Sequence, residues 1–247
     1  MGALIKKAFL PLKKFIMTQK NSKKYTDALK KIEKDKLYTL QEASNLVLET
    51  ATTKFDSSVE IHVNLNVNVK HADQIVRGTI ILPHGSGKKI RIAAFVESDQ
   101  IKPATDAGAD LAGLDDLIQD VKKGKINFDI AIAQPQVMKN LGQIAKNLGT
   151  KGLMPNPKAG TVTPDIVKTI TEIKKGKVEY KTDKTGIIHC TIGKVSFGKD
   201  KVYENAKALM TEIIAAKPAV VKSSYIKSIT LASTMGPGIK VDFNNEL

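Results

Sequence analysis

Val59-Glu60-Ile61-His62-Val63-Asn64-Leu65-Asn66-Val67-Asn68-Val69 alternates apolar and polar residues without a break. Period two is the side-chain period of a β-strand, so the stretch reads as a strand with one buried and one polar face. Further on, Ile90-Arg91-Ile92-Ala93-Ala94-Phe95-Val96 lacks that alternation. A near-continuous apolar run marks a strand covered on both faces. Two kinds of strand so close together imply two kinds of sheet. Pro/Gly punctuation at Pro83-His84-Gly85-Ser86-Gly87, and again between Gly149 and Gly160, brackets the doubly covered section. The pattern suggests an α/β unit inserted into an α+β unit whose sheet comes from both ends of the chain.

Working outward, Thr39 and Glu42 have capping-box spacing ahead of a helix through Ala43, Leu46, Val47 and Ala51. A strand is expected over 75–82. The bracketed section then reads as a helical stretch over about 101–123, a strand over 128–133 and a helix over about 136–147, with a loop over 149–160. That strand–helix rhythm predicts a small parallel sheet with right-handed crossovers. Thr163-Pro164 reads as an N-cap followed by a first-turn proline, opening a helix that buries Ile166, Val167, Ile170 and Ile173 and ends at Gly176. Strands over 178–181 and 187–192 flank a turn and predict a hairpin. A helix over about 200–215 follows, burying Val202, Ala206, Leu209 and Ile213, then strands over 225–232 and 239–243.

The 247 residues carry 39 Lys+Arg against 25 Asp+Glu, a net charge of +14. The default partner of such a chain is a polyanion. The surplus is uneven: residues 1–24 hold seven lysines and no acid. The folded remainder is only mildly basic, so nucleic-acid binding there requires a shaped patch. Glu97, Asp99, Asp106, Asp110, Asp115, Asp116, Asp120 and Asp129 form a locally acidic stretch expected to face away from RNA, the 110–120 cluster as a solvated helix face. Residues 1–17 form a basic, amphipathic N-terminal extension. It reads as a transit peptide, as a lineage-specific extension, or as sequence ahead of a start at Met17. No apolar run approaches a membrane span, and the lone Cys190 excludes an internal disulfide framework.

Catalytic chemistry finds no support. Gly85-Ser86-Gly87-Lys88 resembles a phosphate loop, but Leu82 and Lys89 occupy the positions where one needs glycine and Ser/Thr, and a basic turn is the expectation. The histidines (His62, His71, His84, His189) lack metal-ligand spacing, and Cys190 reads as a small core residue. No enzyme activity, cofactor or metal is expected.

Three clusters combine lysines, hydroxyls and glycines: Lys54-Phe55-Asp56, Asp183-Lys184-Thr185-Gly186 and Ser233-Thr234-Met235-Gly236-Pro237-Gly238. Each alone is ordinary turn chemistry. Together they offer phosphate partners, hydroxyls for a ribose 2′-OH, and Phe55 and Met235 to pack on sugars or bases. With Val76-Arg77-Gly78-Thr79, Leu82-Pro83-His84-Gly85, Gly152-Leu153-Met154-Pro155-Asn156-Pro157-Lys158 and Ile187-Ile188-His189, they resemble the signature blocks of the bacterial-type ribosomal protein L-one family. This is the large-subunit stalk protein, and the resemblance runs over about residues 18–242.

The resemblance implies an α+β two-domain fold. Domain I (18–84 and 176–247) would be a split βαβ-type α+β domain built from both termini, and domain II (85–175) an inserted Rossmann-like α/β domain. A hinge would lie at Pro83, His84, Gly85, Lys175 and Gly176. The implied function is binding of large-subunit rRNA at the mobile stalk near the exit site, assistance in release of deacylated exit-site tRNA, and repression of the protein's own operon mRNA. The implied rRNA contacts are Lys54, Phe55, Glu60, Asp183, Lys184, Thr185, Gly186, His189, Ser233, Thr234, Met235 and Gly236. The implied location is the cytoplasmic ribosome, or an organelle matrix if the extension is a transit peptide, with no membrane partner. A dedicated mRNA-binding regulator is the alternative, and a nucleotide-dependent enzyme a distant third. The chain departs from the family pattern at Gly149-Thr150-Lys151-Gly152, at Asn68-Val69 and at Ala72.

Overall fold

A computed structural model describes residues 22–33, 36–71, 73–221 and 224–242. In chain order the elements are α1 (Lys23–Lys30), α2 (Leu40–Glu49), β1 (Ser58–Leu65), β2 (Arg77–Ile81), β3 (Ile92–Phe95), α3 (Ile101–Asp106), β4 (Leu111–Gly113), α4 (Asp115–Lys122), β5 (Ile130–Ala133), α5 (Met138–Leu141), α6 (Ala145–Thr150), α7 (Ile166–Lys174), β6 (Lys177–Lys181), β7 (Ile187–Lys194), α8 (Lys199–Ala215), β8 (Ile226–Ser233) and β9 (Ile239–Val241). No helix among the described residues is long and apolar enough to cross a membrane.

The first sheet runs β7-β1-β8-β9 and is antiparallel throughout. Since β7 and β8 both run against β1, they are parallel to each other. Helix α8 connects them, so β7–α8–β8 is a split βαβ unit with β1 between its strands. The odd-numbered residues Val59, Ile61, Val63 and Leu65 are buried against α2 and α8, through Leu40, Ala43, Val47, Val202, Leu209 and Ile213. Thr39 closes its capping box with Glu42 and starts α2 where the spacing placed it.

The second sheet, β4-β3-β5, is parallel and sandwiched. Alternate residues of β3 enter different cores. Ala93 and Phe95 pack with α4 and the 137–148 segment, through Leu117, Val121, Leu141 and Leu148. Ile92 and Ala94 pack with α3 and α7, through Ala104, Ile166, Ile170 and Ile173. This accounts for the unbroken apolar run. The first core draws on residues 38–82 and 180–241, and the other two on residues 92–173.

Several elements differ from the sequence expectation. The single helix over 101–123 is two helices with β4 between them. Gly108, at φ +103°, ends α3, and the Asp110 carboxylate accepts the Ile92 N–H at 2.9 Å, holding the chain beside β3. The acidic cluster is therefore not one helix face, and Asp115 and Asp116 lie in the first turn of α4, where a helix dipole favours them. The helix over 136–147 is split by a 3-10 turn at 142–144 and runs on to Thr150, inside the expected loop. The helix expected from Thr163-Pro164 starts at Ile166, with Thr163 Oγ1 accepting from the Asp165 N–H ahead of it.

Strand β1 stops at Leu65, not Val69, because its neighbour β7 turns away at Gly186 (φ +84°). The expected hairpin is not formed as a ladder. β6 shares only an isolated bridge with β7, Thr182 to Ile188, and pairs with β2. Gly78 makes that pairing possible: a β-carbon there would meet the hydroxyl oxygen of the buried Tyr180 at 2.5 Å. The 1–17 extension, Ala72 and Phe243 lie outside the described residues.

Candidate nucleic-acid interface

β1 begins and β8 ends at the same end of the first sheet, so the segment before Ser58 meets the turn after Ser233. Thr234 fastens the two. Its N–H donates to the Ser58 carbonyl at 2.9 Å, and its hydroxyl accepts from the Ser58 N–H at 3.0 Å and donates to the same carbonyl at 3.2 Å. The Asp56 carboxylate accepts from the Ser196 N–H at 3.1 Å and hydroxyl at 2.8 Å, and fixes the other side of the loop. Between these anchors Lys54 and Phe55 are left outward, Phe55 with 59% of its surface exposed.

The turn after β8 is tight. The Gly236 N–H donates to the Ser233 carbonyl at 2.8 Å, and Met235 sits at φ +66°, the only non-glycine residue with positive φ among those described. A β-carbon on Gly236 would collide with Ser233 Oγ. An unbranched apolar side chain in the left-handed region is strained. It is also presented outward, 76% exposed. Phe55 and Met235 line one recess of about 350 Å³ with Lys24, Tyr25 and Lys54. Two exposed apolar side chains, a tyrosine and two lysines thus share one concavity.

The even-numbered residues of β1 face away from the helices. Glu60 stands opposite Thr191 and Ala232, and His62 opposite His189 and Thr230. The two imidazoles meet edge to face with Nδ1 atoms 2.9 Å apart, so one donates and the other accepts. Burial and the neighbouring His189 lower the His62 pKa below 6.5, with Glu60 opposing. At the far end of the strand, Asp183 organises its turn. Its carboxylate accepts from the N–H groups of Thr185 and Ile187, both at 2.8 Å, and from the Thr185 hydroxyl. These bonds hold its pKa down at about 2. His189 Nε2 lies 3.7 Å from the same carboxylate, and Lys184 is exposed at the turn.

The expected contact residues therefore fall in two groups at opposite ends of one polar sheet face. Lys54, Phe55, Ser233, Thr234, Met235 and Gly236 occupy one end, and Asp183, Lys184, Thr185 and Gly186 the other. Glu60 and His189 lie on the face between, which spans about 20 Å at ~3.3 Å per strand residue. Thr234 and Asp183 are committed to holding the backbone, and Ser233 is buried. Lys24 and Tyr25 also line the recess but were not singled out, since Lys24 reads as the last lysine of the basic tail and Tyr25 belongs to no motif. Lys194 was missed too: its ammonium donates to the Asp56 carbonyl and Ser58 Oγ, a contact across the sheet that no local motif announces.

The expected hinge residues lie where the two connections between the sheets touch. Leu82 N–H donates to the Gly176 carbonyl at 3.2 Å, and a β-carbon on Gly176 (φ +104°) would overlap the Gly85 Cα. The fully buried Asn205 of α8 clamps the first connection, accepting from the His84 N–H and donating to the Gly85 and Ile192 carbonyls at 3.0 and 2.7 Å. His84 Nε2 pairs with Glu204 at 2.5 Å beside it.

Such an arrangement holds hydroxyls, lysines and apolar tips on a rigid sheet, and it suits a shaped polyanion. Comparison with known proteins agrees: a sequence model of the Ribosomal protein L1p/L10e family matches residues 47–237, well over half of the chain, and the chain belongs to that family of ribosomal, rRNA-binding proteins.

Proposed function

We propose that residues 18–84 and 176–247 act as an rRNA-gripping domain, with residues 85–175 as a second domain moving about the connections at Pro83–Gly85 and Lys175–Gly176. The open face of the first sheet, with the Lys54/Phe55/Met235 recess at one end and the Lys184 turn at the other, binds the stalk segment of large-subunit rRNA. It reads shape through hydroxyl, amide and 2′-OH contacts. The second domain follows the stalk and makes a weaker, salt-sensitive contact with exit-site tRNA, assisting its release when deacylated. An own-operon mRNA that folds into the same shape would occupy the same face, which makes the protein a repressor of its own synthesis. The site of action is the ribosome, cytoplasmic or in an organelle matrix.

The observation that carries this reading is the helix-free polar face flanked by two exposed apolar side chains in one lysine-lined recess. The test is a titration of stalk rRNA against a scrambled RNA of equal length at several salt concentrations. The expected result is a preference of orders of magnitude that persists at high salt, and that Met235→Ala and Phe55→Ala each reduce by about tenfold. Equal affinities collapsing together with salt would leave only counterion release from lysines. ATP or GTP binding in the micromolar range would instead revive the enzyme reading.

A further inference from the structure

Outside that face, a polar recess unaccounted for lies at the crossing of the two connections. It is a groove of about 610 Å³ whose walls come from residues 83–90 on one side and 173–176 on the other, closed at one end by Phe197. No aspartate or glutamate lines it, while Lys88, Lys89 and Lys175 stand exposed around it. Among the described residues, neither Lys89 nor Lys175 forms an ion pair or side-chain hydrogen bond. The fourth lysine, Lys174, is turned away, with its ammonium over Gly108 at the end of α3.

Inside the groove is Ser86. Only 6% of its surface is exposed, and among the described residues its hydroxyl has no hydrogen-bond partner and no backbone bond engages the N–H groups of Ser86, Gly87, Lys88 or Lys89. A hydroxyl on the lining of a groove that meets no protein partner is free to bond a ligand atom. Gly85 and Gly87, at φ +68° and +69°, shape the loop around it. A run of free N–H groups beside glycines, with cations at the rim, is the chemistry of an anion cradle.

We propose that this groove binds a phosphate group, with Ser86 Oγ and the 86–89 N–H groups as donors and Lys89 and Lys175 as counter-charges. It is not a nucleotide-hydrolysing loop, because the lysine is followed by Lys89 rather than by a metal-binding hydroxyl. Its two walls belong to two different chain connections, so an anion bridging Lys89 and Lys175 pins them together. The bound phosphate therefore restricts motion about the crossing. The source is either an RNA phosphodiester or a free oligophosphate. Geometry relates the groove to the RNA-facing end of the sheet: the Lys194 stem passes Gly87, and its ammonium reaches Asp56 and Ser58.

The test uses the full chain and amide NMR shifts, with inorganic tripolyphosphate as the probe. The amides of residues 85–89 and 175–176 are expected to shift together and saturate in the micromolar to low-millimolar range. The doubly substituted K89Q/K175Q protein should weaken binding at least tenfold, and Ser86→Ala severalfold, with unchanged melting temperatures. K54Q/K184Q, which alters the proposed rRNA face, should leave the tripolyphosphate response intact, so failure of the rRNA reading is distinguishable from failure of this one. A second arm adds a short single-stranded RNA. Shifts at 85–89 that tripolyphosphate reverses identify a phosphodiester as the natural source; RNA that leaves those amides unmoved identifies a free oligophosphate. Unsaturable shifts spread over all exposed lysines, or a response unchanged in K89Q/K175Q, would overturn the proposal.

Discussion

The two sheets are built from similar strands and finished differently. The parallel sheet of β3, β4 and β5 is closed on both faces, and every residue of β3 is buried. In the antiparallel sheet helices cover one face only, and β1 alternates between buried and half-exposed residues throughout. The closed sheet spends all its side chains on packing. The open one keeps a row of polar side chains on a scaffold as rigid as the core beneath it, which is what shape recognition requires. The candidate contacts accordingly sit on or beside the open face.

The largest expected effect is a parity test of this contrast. Ala93→Asp and Ala94→Asp bury an unpaired carboxylate in opposite cores, and each should cost about 3–5 kcal/mol or abolish folding of that half. In β1 the outcome should depend on parity, with Ile61→Asp as damaging as either and Asn64→Asp within about 1 kcal/mol of the parent. Urea denaturation checks this, and an equally severe loss at Asn64 would mean the open face is covered after all.

This contrast was the most legible part of the sequence, because side-chain periodicity reports directly whether one or both faces are buried. The capping box at Thr39 and Glu42 was equally readable, being a local hydrogen-bond exchange. What failed depended on distant partners. Nothing in residues 101–123 announces that Asp110 will cap the Ile92 N–H and turn part of an apparent helix into β4. Likewise, β6 leaves β7 for β2 because Gly78, far away in the chain, makes room for Tyr180. The contact motifs were visible as residue types. That they divide between two ends of one face was not, since it follows from the register of β1 against β7 and β8.

The next effect concerns the place where the two halves meet. At Gly176 positive φ and contact with Gly85 coincide, so Gly176→Ala should destabilise the protein by about 1–3 kcal/mol. Gly124→Ala, also at positive φ (+81°) but with nothing within 4 Å of an added β-carbon, should show only the backbone part, about 1 kcal/mol. Thermal melts of the pair separate the steric from the conformational cost. Equal losses would deny that the connections touch.

A smaller stability effect should accompany a large change in recognition at Met235. Glycine relieves the left-handed strain but makes the unfolded chain more flexible, so Met235→Gly should change stability by no more than about 1 kcal/mol. Its affinity for stalk RNA should nevertheless fall about tenfold, because the apolar tip is gone. A protein that binds as before, at any stability, would show that the exposed methionine is a turn residue and nothing more.

The smallest effect is a difference in acid sensitivity between the sheets. The His62 pKa is lowered in the folded state by burial and by His189, so the unfolded chain binds the proton more readily. Stability contributed by the neutral imidazole is therefore intact above the ordinary histidine value of about 6.5 and declines as the pH falls below it. Protonating both rings would also break the Nδ1 contact, since each would then be a donor. No histidine lies in residues 85–175. Amide exchange, corrected for its intrinsic pH dependence, should show Ile61 and Val63 losing protection between pH 7.5 and 5.5 while Ala93 and Phe95 keep theirs. His62→Asn should flatten the first response. Bound RNA should also reduce it, because phosphates near the histidine pair favour the charged form and offset the penalty. A loss of protection shared by both sheets would place the acid-sensitive group elsewhere and detach the histidine pair from the open face's behaviour.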